Sequence, residues 1–523
     1  MKSPILGSAY VARSVNAADN RMINLFPEIV PEAGKEPAFL QRTPGLNFLA
    51  GVGDGPIRGL WAFGNYGYAV SGNKFYQIDT NWNVTYKGVV AGSGQVSMVD
   101  NGTQLFIAAG ATGYIYNANT DVFAQITDPD FYGAVTVGFI DGYFVYNQPN
   151  SQKFWVTSLY DGTSVDPLDF ASAEGSPDNL VSLIVDHREV WLFGQNSTEV
   201  WYDAGLPDFP LSRIQGAFIE IGCAAPFSVA KLDNGVFWLS SDARGRGMVF
   251  RSNGYAGVRI STHSVEWQIQ QYEDISDAVA YTYQQDGHSF YVLNFPSADI
   301  TWVYDVATQM WHQRAGWLNN QFTRHRGNCQ MVFNGEIVIG DYVAGAIYAY
   351  DPTVYTEAGT TQKWLRSWRA LPTGANNLRR TTQHSLQLDC EVGVGLDGST
   401  TGSPAIPAFT GLTGSICSGP ISSAPIEAAL VSVSVPEIPA VPATAPQGAD
   451  PQVMLRWSDD GGHTWSNEHW RSMGRIGETG HRVLWRRLGM TMKIRDRVYE
   501  VSGTDPVKIA IMGAELIVSP TNA

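Results

Sequence analysis

The sequence is poor in charge. Asp, Glu, Lys and Arg make up 16% of its 523 residues, against about 25% in an average soluble chain. That deficit excludes a coiled coil, a solvated helical protein and a disordered acidic tail. Cysteine is scarce too. Cys223, Cys329, Cys390 and Cys417 lie far apart and form no CxxC pair, so reduced, mostly buried thiols are expected rather than a disulfide scaffold. His463 and His469 have no Cys or third His at ligand spacing, so no metal centre is expected. No apolar run approaches the roughly 20 residues that span a bilayer. Met1 to Tyr10 has no basic stretch followed by an apolar core, so no secretory leader is expected.

Glycine and aromatics fill the gap, with 54 Gly, 16 Trp, 23 Tyr and 23 Phe. This composition suits many short strands joined by tight turns. The chain has 34 basic and 49 acidic side chains, net −15. Residues 357–523 hold 15 of each sign, so residues 1–356 carry the whole deficit. An acidic chain is a poor tight binder of phosphates, and the uneven charge points to two surfaces with different tasks.

A turn signal followed by an alternating apolar strand recurs along the first part. The second turn residues stand at 67, 102, 142, 187, 235, 287 and 335, in pairs such as Asn101-Gly102, Asp141-Gly142, Asp286-Gly287 and Asn334-Gly335. Asn-Gly and Asp-Gly pairs accept the positive φ angles of a tight hairpin. Each turn is followed by a second strand with an aromatic near its end, such as YIYNA at 114–118 or WVYDV at 302–306. One such unit cannot bury its face alone, and a period of about 40–50 residues matches propeller blades. The expected fold is all-β: a seven-bladed β-propeller over 56–356, with six blades as the alternative count. An N-terminal arm, 1–55, is a candidate for closing the ring. A helix is expected at 263–272, and the aromatics are assigned to packing between blades.

After Asp351-Pro352 the rhythm changes. Five strand patterns in 357–398 and 451–523 predict a β-sandwich platform. Between them lies 399–450, rich in Ser, Thr, Gly, Ala and Pro and lacking Lys and Arg. At this length it is an inserted projection or tip, or a flexible linker, and not a hairpin loop. AALVSVSV at 428–435 alternates and could pair as a strand.

SDDGGHTW at 458–465 fits the Asp-box pattern through Ser458, Asp460, Gly462, Thr464 and Trp465. The motif is a hairpin device in which Asp and Ser tie the turn and Trp packs beneath it. Asp-boxes occur in sialidases away from the active site, but a sialidase carries several, and this chain has one. No catalytic constellation, P-loop or nucleophile elbow is found, and neither a catalytic residue nor a cofactor is expected. Arg482, Arg486, Arg487, Arg495 and Arg497, with Lys493 among them, form a candidate basic face for docking an acidic partner. Arg244 and Arg246 mark a smaller basic loop.

The run RVLWRRLG at 482–489, followed by a strand and DPVKI at 505–509, resembles the end of the packaged DNA stabilisation proteins, or tail nozzles (tail hubs), of short-tailed phages. NRMINLFPEIVPEAGKEPAFLQRTPGL at 20–46 is similar to that family's opening arm, and GSGQVSMVDNGTQLFIA at 92–108 is similar as well. The resemblance implies a structural protein of the virion tail rather than an enzyme. It implies a homo-hexameric tube, assembled in the host cytoplasm, that extends the portal-adaptor ring, retains packaged DNA and docks a tail needle or plug and tailspikes or tail fibres. Double-stranded DNA would pass through without specific binding. Two other classes suit a propeller: a glycan-degrading enzyme of sialidase or depolymerase type, and a glycan-binding receptor protein.

Overall fold

The computed structural model describes residues 1–521 apart from 33, 207–208, 243–244, 376–378, 398–408, 413–431, 436–446 and 493–495. Among the described residues its regular structure is strand apart from one helix, His263–Gln270. Seven four-stranded antiparallel units follow one another, over 57–89, 97–125, 137–172, 180–219, 230–259, 279–318 and 327–351. The last range supplies only three strands. Its fourth is Gly45–Gly51, which pairs antiparallel with Ala346–Asp351. A strand from the N-terminal arm therefore completes the seventh unit.

Each neighbouring pair of units shares an apolar cluster, and that of the fifth and sixth is continuous with the core of the second domain. Phe75 and Leu105 lie between the first and second, Phe106 and Phe144 between the second and third, and Val145 and Leu192 between the third and fourth. Trp191 and Trp238 join the fourth to the fifth, Phe237 and Tyr291 the fifth to the sixth, and Val292 and Tyr348 the sixth to the seventh. Ile57 and Met331 then join the seventh to the first, so the ring closes on itself. The aromatics fill these seams, which is where a sheet with one apolar face must bury it.

The turns follow the sequence signals with small shifts. Asp141-Gly142, Asp286-Gly287 and Asn334-Gly335 are two-residue hairpin turns with positive φ at both positions. Three others move. The loops are Gly64-Asn65, His187-Arg188 and Asp233-Asn234, so register, fixed by the buried face, outweighs the nearest Gly. Helix His263–Gln270 begins at Thr262, whose hydroxyl accepts the Val265 N–H at 3.4 Å.

The second domain is a sandwich of two sheets. One is ordered Val483–Arg486, Thr381–Cys390, Ala510–Pro520, Ala38–Arg42 and Leu25–Ile29, with Lys2–Ser3 beside Ala510–Pro520. The other contains Trp364–Arg369, Val498–Gly503, Gln452–Ser458 and His469–Ser472. Trp364, Leu386, Val453, Trp485 and Leu516 pack between them. The second sheet is continuous with the sixth propeller unit through Met22–Ile23, which bridges Gln313 on one side and Leu365 on the other. Most of the arm is thus not a separate element: apart from Tyr10–Val11 and Asp19–Asn20, which pair with each other, its strands belong to the sixth and seventh units and to both sandwich sheets.

Two short strands of the insertion, Phe409–Leu412 and Ser432–Val435, pair antiparallel with each other. The second falls within the alternating run 428–435. The rest of 399–446 lies outside the described residues. At the base, the Leu396 N–H donates to the Gly448 carbonyl at 2.8 Å, so residues 447–450 belong to the sandwich.

Candidate functional site

The Asp-box residues close one turn. Asp460 Oδ1 accepts the Ser458 hydroxyl at 2.6 Å and the N–H groups of His463 and Thr464 at 3.0 and 2.9 Å. Its Oδ2 accepts the Thr464 hydroxyl at 2.6 Å. Ser458 Oγ in turn accepts the Gly462 N–H at 2.8 Å, and Trp465 Nε1 donates to the Gly462 carbonyl at 3.0 Å. Burial alone would raise the Asp460 pKa, but these donors hold it well below the usual carboxylate range. Gly462 has φ +110, and a Cβ there would meet Asp19 Oδ2 at 2.8 Å and Val15 at 2.9 Å. The turn is pressed against the N-terminal arm.

Trp465 makes the link to the sandwich sheet. The guanidinium carbons of Arg21 and Arg456 lie 5.3 and 4.8 Å from its ring centroid. Both arginines pair with the buried carboxylate of Glu500, at 2.8 and 2.5 Å. One buried acid between two guanidiniums is well compensated. Sequence reasoning missed Arg21, Arg456 and Glu500. Arg456 and Glu500 signal only by alternation on strands whose pairing is non-local, and Arg21, just before Met22–Ile23, gives no signal.

The candidate basic face is smaller than expected. Arg482 and Arg486 point away from the inward-facing Val483 and Trp485 and are exposed, as is Arg487. Arg482 donates to Gln387 at 2.7 Å. Arg497 is a correction: it is 5% exposed. Its guanidinium forms a two-pronged pair with Asp459, at 2.7 and 2.8 Å, and donates to the Leu488 carbonyl. The fork is consumed inside the protein, fastening the Asp-box hairpin to the following strand. Arg495 and Lys493 lie outside the described residues. Arg246 donates to the Tyr272 carbonyl, just past the end of the helix, and Arg244 lies outside the described residues.

Two propeller acids, Glu199 and Glu189, are each tied up by neighbouring donors. Glu199 is buried and accepts from Gly175 N–H and Trp201 Nε1. Glu189 accepts the Tyr255 hydroxyl. Cys223, Cys329 and Cys390 are free and buried. Burial pushes the Cys223 thiol to about 11 and Cys390 to about 12, so neither is an activated nucleophile.

A titratable cluster does gather between the sixth and seventh units. His325 Nδ1 lies 2.5 Å from Glu357 Oε1, and its Nε2 is 2.8 Å from the Tyr350 hydroxyl. Tyr350 also bonds Tyr281 at 2.7 Å, and Arg314 lies over the Tyr350 ring. His325 and Glu357 are fully buried, and burial holds the His325 pKa below its ordinary value. The cluster fastens the ring-closing strand, because Glu357 stands beside Leu46 in a parallel pairing. A separate cavity of about 480 Å³ opens on strands that begin several units, lined in part by Val96, Phe139, Leu183 and Phe227. Among the described residues no group of three or more His, Cys, Asp or Glu is arranged to hold a metal ion, and no helix is long and apolar enough to cross a membrane.

A family model described as the β-propeller of bacteriophage P22 Gp10 matches residues 1–376, and one described as the β-sandwich of the same protein matches residues 427–519. The chain belongs to the P22 Gp10 family. It is therefore a phage tail structural protein, of a family that stabilises packaged DNA, and its place is the virion tail. The Gp10 propeller match begins at residue 1 and so includes the arm that closes the seventh unit. No curated protein matches the sequence. Among solved structures, the N-terminal domain of Nup159 covers 63% of this chain and 98% of its own, at 11% identity and TM-score 0.38. The extracellular domain of a putative one component system, BT4673 of B. thetaiotaomicron, covers 89% and 58%, at 11% identity and TM-score 0.40. Those likenesses are too distant to carry an argument.

Proposed function

We propose that this chain forms a hexameric nozzle at the end of the portal-adaptor channel. There it retains packaged DNA and docks a needle or plug and tailspikes or fibres. The observation that carries this reading is the match of both domains, in order, to one tail protein. The charge partition supports it. Residues 1–356 carry the net −15, and an acidic wall repels phosphates, so double-stranded DNA slides past without specific binding.

Assembly takes place in the host cytoplasm, on a head that already bears its adaptor. Self-repulsion at net −15 keeps the isolated chain monomeric at low salt. Mass spectrometry of purified virions should find six copies per portal ring, and cryo-electron microscopy should place them as a tube below the adaptor. A trimer, or a fibre at the tail tip, would overturn the reading. Turnover of a glycan by the purified protein would favour the enzyme class instead.

A further inference from the structure

The hairpin Met310–Leu318 and Gln321–Arg324 leaves the sixth unit and overhangs the outer face of the neighbouring sandwich sheet. Its turn residues Asn319 and Asn320 both have positive φ. Phe322 packs on Ile23 and Leu365 and fixes the overhang. Between hairpin and sheet runs an open groove of about 650 Å³, within the size range of ligand sites.

Its walls are aromatic and charged, with three cations and the carboxylate of Glu468. Trp317 and Phe322 meet edge-on at 4.7 Å on one side. Trp470, 52% exposed, stands on the edge strand opposite. Two of the three cations in the groove, Arg21 and Arg456, are neutralised by Glu500 and Asp19. The third is not. Lys363 Nζ lies 4.4 Å from the Trp317 ring centroid, and among the described residues no ion pair or hydrogen bond holds its ammonium. Burial lowers its pKa, opposed by Glu468, which lines the same groove, and by Glu500, while Arg456 adds to the lowering. A half-buried ammonium without an ion-pair partner, lying over one tryptophan in a groove that a second one lines, has the composition of an interface hot spot.

We propose that this groove docks an acidic segment of another tail protein, one of whose carboxylates pairs with Lys363 while an apolar side chain packs against Trp470. The partner's place in the tail rests on the reading above; the chemistry of the groove does not. The carboxylate would gain both the charge pair and shielding by the aromatic walls, so the pair would be less screened than one on open surface.

Two experiments separate these layers. The full-length chain is titrated calorimetrically with acetyl-Gly-Glu-Phe-Glu-Gly-amide and with its Gln counterpart. The Glu peptide should bind at least tenfold more tightly. Lys363→Gln should erase that preference with an unchanged melting point, Lys363→Arg should keep most of it, and Glu468→Gln should strengthen it by removing a competing carboxylate. Equal binding of the two peptides, or a preference that survives Lys363→Gln, overturns the proposal. In virions, a photo-crosslinker at Gln321 should capture a peptide of another virion protein with Asp or Glu close to the linked residue. Capture of a glycan, nucleic acid or a peptide without acids overturns it. If the chain is absent from virions, the tail reading fails, while the peptide titration still decides the groove.

Discussion

Asn24 and Ala315 exchange two hydrogen bonds. Asn24 Nδ2 donates to the Ala315 carbonyl at 2.8 Å, and Asn24 Oδ1 accepts the Ala315 N–H at 2.9 Å. The same Nδ2 donates to the Lys363 carbonyl at 2.8 Å. One buried amide thereby stitches the last strand of the sixth propeller unit to the first strand of the sandwich sheet. It occupies φ +54, a conformation that Asn tolerates and most residues avoid.

Replacing this amide should loosen the two domains together. Asn24→Leu leaves three buried main-chain groups unpaired, each worth about 1–3 kcal/mol, and adds strain at positive φ. A loss on the order of 3 kcal/mol is expected in urea unfolding. Asn24→Gly relieves the strain but not the lost bonds, so it should recover only part of the deficit. Full recovery by Gly would show that backbone strain, and not the stitch, sets the cost.

Asp460→Ala should lower stability by about 1–3 kcal/mol, because four donors lose their common acceptor. The effect should be local: hydrogen exchange should quicken at His463 and Thr464 while the propeller seams keep their protection. A fully stable Asp460→Ala variant that had lost a hydrolase activity would reverse the structural reading of this turn.

His288 and Asp305 supply a pH signature. His288 Nδ1 is 2.8 Å from Asp305 Oδ2, and both side chains are buried. The hydrogen bond to Asp305 raises the His288 pKa against the opposing effect of burial. For Asp305, burial is opposed and outweighed by its bonds to His288 and Thr308, which lower its pKa. A raised His contributes stability fully present below its unfolded pKa of about 6.5, lost as pH rises through the folded value. A lowered Asp contributes stability present above about 3.9, lost as pH falls through its folded value. The pair is therefore worth most between about pH 4 and 6.5. Nearby His312, which burial depresses to about 3, stays neutral through that window. The melting-point gap between the wild type and His288→Gln should be wider at pH 5.5 than at pH 9. An equal gap at both would show that the pair stays neutral.

The hairpin rhythm is legible in the sequence because turn chemistry and alternation act over a few residues. Asp286-Gly287 and Asn334-Gly335 stand where the local signal places them. The Asp-box is legible for the same reason, since the hydrogen bonds of Asp460, Ser458 and Trp465 that close the turn all lie within 458–465. What escapes is non-local. Trp364–Arg369 alternates weakly and carries Arg366, yet it is a central strand whose buried guanidinium donates to the Ile5 carbonyl at 2.7 Å. Arg497 looks like one more exposed cation until Asp459, on a different strand's turn, reaches its fork. Lys363 carries no sequence signal, because its setting is made by a hairpin from the other domain.

The insertion gives the last test. Its two ends already meet: Leu396 N–H bonds the Gly448 carbonyl, and Gln452 N–H bonds Asp505 Oδ2 at 2.7 Å just beyond. Its two short strands, Phe409–Leu412 and Ser432–Val435, pair with each other and, among the described residues, with no strand of the sandwich. Closing a loop costs only about 0.6 kcal/mol more per doubling of length, so a long excursion at a closed neck neither costs nor contributes much. Replacing 399–446 by a four-residue turn should leave the melting point within a few degrees and the propeller intact. DNA retention and needle attachment are judged separately in virions carrying the shortened chain, where a loss is expected if the projection is a contact arm. The sandwich family match begins at residue 427, which sets a second arm for the experiment. Removing 399–426 alone deprives Ser432–Val435 of its pairing strand and should be no more stable than the complete excision. A large drop in stability on complete excision would make AALVSVSV part of the core, and would move the edge of the sandwich back to residue 427.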